Sequence, residues 1–345
     1  MNIKPSKLFG STLAALLASS IASAGVLPKT VPTPANNLTT KEKVELGKQL
    51  FFDPRLSIDN TVSCNSCHNV MSSGTDNRAT SAGINGLKGV RSAPTVWNAA
   101  FQSALFWDGR AATLEEQVKG PLLNPLEMGM PNKATLVERL SSIPGYVEQF
   151  KTAFGDKGAV SFNNVAKAIA AFERTLITPN SPHDRFLSGD KTAMSKQAQR
   201  GKKTFEQSGC NTCHRGTNFA GPGLPIGQGY FKTFPSYDSH YDEKYDLSSD
   251  KGRYEVTKAK KDMNRWRVPS LRNVALTAPY FHNGSAATLD EAVRVMAKTQ
   301  LNLKLSEKRI SDIVAFLESL NGEFPEISVP RLPGTTNNDL AINLN

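Results

Sequence analysis

The chain is poor in cysteine, poor in strand signals and short of negative charge. Its four cysteines all lie in two pentapeptides, Cys64-Asn65-Ser66-Cys67-His68 and Cys210-Asn211-Thr212-Cys213-His214. None is left over for a disulfide, so the disulfide-stapled class is excluded. No apolar run after the first 24 residues is long enough to span a bilayer. Acidic residues number 31 against 41 Lys and Arg, a formal net charge of +10. Such a balance suits nucleic acid, an anionic membrane or an acidic partner protein, or simply a solvated basic face.

Each pentapeptide reads C-x-x-C-H, the attachment signature of a c-type haem. Two thiols three positions apart can each form a thioether with a haem vinyl group, and the adjoining imidazole then lies under the iron as an axial ligand. Cys64, Cys67 and His68 would hold one haem, and Cys210, Cys213 and His214 a second. One such motif arises by chance in fewer than about one comparable sequence in a thousand. A zinc site or a thioredoxin-like pair would leave both adjacent histidines unexplained.

The opening residues read as an export signal. Lys4 and Lys7 precede an apolar stretch from Leu8 to Ile21, and Ala22-Ser23-Ala24 is an A-x-A cleavage site. Haem attachment through C-x-x-C-H normally takes place outside the bacterial cytoplasm, so both features place the chain in the periplasm, where nucleic acid is not its partner. Loss of the two lysines lowers the net charge from +10 to +8. The remaining length suits two domains.

The chain also repeats itself. Glu45 to Phe51 and Gln199 to Phe205 precede the two haem motifs, and Arg91 to Asn98 echoes Arg267 to Asn273. Phe106-Trp107-Asp108-Gly109-Arg110-Ala111-Ala112-Thr113-Leu114-Glu115-Glu116-Gln117-Val118 matches Phe281-His282-Asn283-Gly284-Ser285-Ala286-Ala287-Thr288-Leu289-Asp290-Glu291-Ala292-Val293. This is a two-fold duplication and not a solenoid. The expected fold is mainly α, two cytochrome-c-like haem domains related by internal duplication with few short strands. Expected boundaries are a signal peptide 1–24, a first haem domain 25–178, a second 179–325 and a tail 326–345, the division falling at the Pro-rich turn Thr178 to Pro182. Thr39 or Thr40, Thr113 and Thr288 are N-cap candidates. Amphipathic patterns run from Phe162 to Leu176 and from Ile310 to Leu320. The halves differ at Pro225 to Asp262, read as a long inserted loop.

These residues resemble the bacterial di-haem cytochrome c peroxidases, in the superfamily that also holds the MauG-type enzymes. The resemblance covers roughly Thr39 to Leu320 and rests on both haem motifs, Ala93-Pro94-Thr95, Phe106 to Arg110, Glu116-Gln117, Val268 to Asn273 and Tyr280 to Gly284. It implies reduction of hydrogen peroxide at the first haem. It also implies single-electron delivery to the second haem from a small periplasmic cytochrome c or cupredoxin, a calcium ion between the domains, and commonly a homodimer.

The resemblance assigns roles residue by residue. Met296, which by spacing alone reads as helix core, matches the second axial ligand of the C-terminal haem. Glu127, in Asn124-Pro125-Leu126-Glu127-Met128, matches the catalytic carboxylate, and Gln117 the amide that bonds bound peroxide. Trp107 matches the electron-transfer bridge. Calcium would take the carbonyls of Thr277 and Pro279 and, where relatives carry Asn, the side chain of Ser92. The chain departs from the family at Thr80-Ser81-Ala82-Gly83-Ile84. Many relatives carry there a His that caps the peroxidatic iron at rest; Ile84 cannot bind iron, and no His occurs between His68 and His183. The first haem is therefore expected to be open at rest, unless another loop residue such as Met71 caps it. His183, His240 and His282 read as structural. The competing readings are a di-haem electron carrier without catalysis and a MauG-like oxidase that modifies a partner protein. MauG-type enzymes use Tyr where this chain has Met296, which weighs against the second.

Overall fold

The computed structural model describes residues 25–155 and 160–335; the export signal read at 1–24 lies outside them. Among the described residues the fold is mainly helical, with one two-stranded antiparallel sheet. The first half holds α1 (Lys41–Phe52), α2 (Cys64–Cys67), α3 (Leu114–Leu123), α4 (Lys133–Ser141), α5 (Pro144–Phe154) and α6 (Phe162–Glu173). The second holds α7 (Pro182–Leu187), α8 (Lys196–Gln207), α9 (His240–Tyr245), α10 (Tyr254–Thr257), α11 (Leu289–Leu301) and α12 (Glu307–Glu318). Strand β1 (Phe231–Thr233) pairs with β2 (Arg265–Arg267).

The duplication seen in sequence is one of helix packing. Helix α1 crosses α6 in the first half, and α8 crosses α12 in the second. Each crossing has a glycine at its closest point. A Cβ on Gly47 would lie 1.9 Å from the Ala168 carbonyl oxygen, and one on Gly201 would lie 1.7 Å from that of Asp312. Only a residue without a side chain lets the backbones approach so closely. One turn further on, Phe51 and Phe205 are both buried in their half's core. Thr40, Thr113 and Thr288 cap α1, α3 and α11, each hydroxyl accepting from a backbone N–H three residues on.

Two expectations need correction. Helix α6 ends at Glu173, short of Leu176, because Leu176 and Thr178 pair with Asn98 instead: Asn98 N donates to Leu176 O, and Thr178 N to Asn98 Oδ1. The Pro225 to Asp262 insertion is not a plain loop. It carries β1, α9 and α10, and Tyr245 and Leu247 bury themselves against Ala292 and Val295 of α11. Tyr245 and Leu247 thereby tie it to a small cluster shared with Tyr280 and Ala286.

Both ends of the described chain cross to the opposite half. Leu27 N donates to Asp184 Oδ1 at 3.1 Å. The ring of Phe324 meets that of Trp97 edge-on at 4.9 Å, and Pro333 O accepts from Arg55 at 2.9 Å.

Candidate functional site

In the second half, α8 runs into Gly209, left-handed at φ 88°, and the chain then turns through Cys210–Thr212. His214 is buried, and its Nδ1 lies 3.0 Å from the Phe219 carbonyl oxygen. That bond makes Nδ1 the donor and leaves Nε2 free to ligate. Cys210, Cys213, His214 and Met296 line one cavity, walled by apolar side chains including Leu289, Val293 and Leu305. It encloses about 1690 Å³ of empty space, part of it open to solvent. Neither thiol is in a disulfide, and burial pushes the Cys210 thiol up to about 11. Two free thiols, an oriented imidazole and a thioether around an apolar space fit a c-type haem. Met296 therefore lies on the face expected for it, with Leu289 and Val293.

In the first half, Ser63 and Ser66 form a capping box at the short helix α2 that carries Cys64 and Cys67. His68 Nδ1 lies 3.0 Å from the Pro94 carbonyl oxygen, the counterpart of the His214 arrangement. Burial holds the His68 pKa below its ordinary value and so favours the neutral, ligating ring. The donor set again fits a haem.

Glu127 follows α3, whose end is shaped by Pro121 and the cap Asn124. Asn124 Nδ2 donates to Glu127 Oε1 at 2.7 Å. Burial raises the Glu127 pKa, against the opposing pull of Arg110 and of the Asn124 bond. The Glu127 charge also acts on the Cys67 thiol, so the acid and the haem attachment share one neighbourhood. Ile84 is buried in the core, and its N–H donates to Glu127 O at 2.9 Å. A Cβ on Gly83 would meet Leu126 O at 2.0 Å, so this loop is seated directly on the Glu127 backbone. Met71, the alternative iron cap, is 57% exposed. Gln117 is half-buried on α3, and no hydrogen bond joins it to Glu127.

The duplicated stretch relates the two sites. Val118 matches Val293, so three residues later Pro121 stands opposite Met296. Gln117 stands opposite Ala292, which lines the second cavity. At the positions that match Met296 and Ala292, the first half therefore carries a residue that cannot ligate and an amide that can hydrogen-bond.

One segment serves both sites. Ser92, Ala93, Pro94 and Thr95 line the second cavity, while the Pro94 carbonyl holds His68. Trp107 lines the same cavity, and its indole N–H donates to Ser92 O at 2.8 Å. The three calcium candidates, Ser92, Thr277 and Pro279, also line this cavity. Ser92 Oγ lies 3.5 Å from Arg78 O, and Asn77 Nδ2 donates to the Leu276 and Ala278 carbonyls at 3.0 and 2.8 Å. Among the described residues no cluster of three or more His, Cys, Asp or Glu could hold a metal. A calcium ion here would rest on carbonyls and the Ser92 hydroxyl. His282 stacks on Trp266 at 4.1 Å, and His183 is fully buried in α7.

Sequence reading passed over Arg110 and the carbonyls of Pro94 and Phe219. The signal for Arg110 lay in the repeat, where its counterpart is Ser285. The carbonyls have no sequence signal, since every residue carries one.

Comparison with known proteins gives one family. The family model described as di-haem cytochrome c peroxidase matches residues 41–192. The chain is 46% identical over 319 residues to the cytochrome c551 peroxidase of Pseudomonas aeruginosa, covering 91% of this chain and 89% of that one. It is 43% identical to the cytochrome c551 peroxidase of Nitrosomonas europaea, covering 95% of each. Among solved structures, a MauG-like protein associated with microbial copper homeostasis superposes with a TM-score of 0.75 at 31% identity, over 86% of this chain and 95% of that one.

Proposed function

This chain belongs to the di-haem cytochrome c peroxidase family, and on that premise we propose how its two haems divide the work. Hydrogen peroxide is reduced to water at the haem held by His68. Single electrons arrive at the haem held by His214 and Met296, from a small c-type cytochrome or a cupredoxin, outside the bacterial cytoplasm. No helix among the described residues is long and apolar enough to cross a membrane. When bound, the haems supply irons that take up and release single electrons and, at His68, a coordination position for peroxide.

The observation that carries this reading is the unlike pair Met296 and Pro121. The Met296 thioether would hold the second iron together with His214 and would favour its ferrous form, which suits electron uptake. Proline offers no ligand, and neither does the buried Ile84. Glu127 can take a proton from one peroxide oxygen and return it to the other, and its raised pKa suits that exchange. Gln117 orients peroxide through its amide. Asn124 holds the Glu127 carboxyl in place. Electrons pass by Trp107 and the Ser92 to Pro94 segment, whose last carbonyl touches the His68 ring. A calcium ion on Ser92, Thr277 and Pro279 would stiffen this connection.

Electron paramagnetic resonance of the fully oxidised protein, together with turnover of peroxide against reduced cytochrome c or cupredoxin, tests the reading. One high-spin and one low-spin haem with turnover are expected. Two low-spin haems would refute the open first site, and one open haem without turnover would refute the peroxidase assignment. Cell fractionation checks the compartment.

A further inference from the structure

We propose that the guanidinium of Arg267 binds a propionate carboxylate of the haem held by His214 and Met296. Arg267 is 4% exposed and lines that haem's cavity. Its Nε donates to Phe106 O at 2.9 Å and its Nη1 to Val268 O at 3.2 Å, both uncharged acceptors. Nη2 makes no hydrogen bond among the described residues, and no carboxylate lies within ion-pair distance of the guanidinium. The nearest candidate, Asp108, already receives Arg91 and Arg110 on its Oδ2 and the Arg110 backbone on its Oδ1.

Burying an unpaired cation is unfavourable, so an anion that meets the guanidinium stabilises the holoprotein. The cavity wall supplies none: among the described residues it includes two cations, Arg267 and Lys232, and no Asp or Glu. Lys232 is half-buried, and its ammonium lies 5.1 Å from the centre of the Tyr230 ring. The haem brings its own carboxylates, and the Arg267 fork matches their planar, bidentate geometry. The placement also bears on electron flow. Arg267 N donates to Trp107 O at 2.9 Å, so the residue that meets the propionate is bonded to the proposed bridge.

The proposal rests on the second haem being bound and not on what the first haem reduces, so it can fail while the peroxidase reading stands. A cation against the propionate keeps it ionised and offsets its negative charge, which otherwise favours ferric iron. Spectroelectrochemical titration of the holoprotein between pH 5 and 9 tests this in Arg267→Gln. The second haem should become at least tenfold harder to reduce at pH 8, a fall of 59 mV for one electron. Its potential should also become pH-dependent where the wild type is flat. Arg267→Lys keeps the charge and should hold the potential near the wild-type value with a flat response; it decides the matter if the Gln variant does not load haem. An unchanged potential and pH response in the Gln variant, with His/Met ligation intact, would overturn the proposal. So would a Lys variant whose potential falls at least tenfold in reduction equilibrium and varies with pH.

Discussion

Asn98 and Asn273, equivalent residues of the two repeats, donate to one oxygen: each Nδ2 lies 2.8 Å from the hydroxyl of Thr178. Both asparagines are fully buried and left-handed, at φ 61° and 60°. The two halves thus meet symmetrically at the residue where the chain passes from one to the other.

Thr178→Val keeps the shape and removes the shared acceptor. Two buried amide donors then lose a partner, at about 1–3 kcal/mol each. Thermal unfolding followed by circular dichroism should show a clear fall in melting temperature. A melting temperature equal to that of the wild type would mean that the asparagines do not depend on Thr178.

The helix crossings give a paired test. Gly47→Ala and Gly201→Ala should each cost about 1–3 kcal/mol, since the added methyl meets a backbone carbonyl that cannot move aside. Gly223→Ala, with open space around it, is the control. Urea midpoints measure all three, and equal midpoints for Gly201→Ala and Gly223→Ala would contradict the close crossing.

Glu127→Gln should lower peroxide turnover by about 10²–10⁴-fold while both haem spectra persist. In the wild type Glu127 must be ionised to accept the first proton. Because burial raises its pKa, kcat/KM should fall on the acid side at a pH above the ordinary carboxylate range. Unchanged turnover in the variant, or an acid limb at the value of an exposed carboxylate, would remove Glu127 from the mechanism.

His183 sits between the rings of Phe219 and Phe316, at 5.4 and 5.6 Å, and neither ring nitrogen has a hydrogen-bond partner. Burial, and then Arg272, lowers its pKa from 6.5 to about 4. The folded protein therefore keeps the ring neutral where the unfolded chain protonates it. Its contribution is complete above pH 6.5 and is lost as the pH falls toward 4, by at most about 3 kcal/mol. His183→Phe should lose less stability than the wild type between pH 7 and 4.5 by chemical denaturation. His282, lowered to about 4 by its own burial, leaves the variant some acid sensitivity. An equal loss in both proteins would show that His183 does not titrate on unfolding.

How much of this was legible in the sequence follows from how local each feature is. Haem attachment needs only five contiguous residues, so both motifs could be read directly. The glycines of the helix crossings appeared as repeated letters, Gly47 and Gly201, before their packing gave them a reason. Helix caps at Thr113 and Thr288 are likewise local. The insertion's helices were not legible because Tyr245 and Leu247 are buried by contacts with α11, which lies far along the chain.

The sequence by itself determined that two haems are attached and that two unlike copies of one unit hold them, because covalent chemistry and repetition are written in residue order. Only the tertiary structure decided what surrounds each haem. It set the Pro94 and Phe219 carbonyls against the histidines, Trp107 against Ser92, and Arg267 at a cavity without a carboxylate. Most of those relationships run through backbone carbonyls that all residues share, and a backbone group acquires a role only from where the fold puts it.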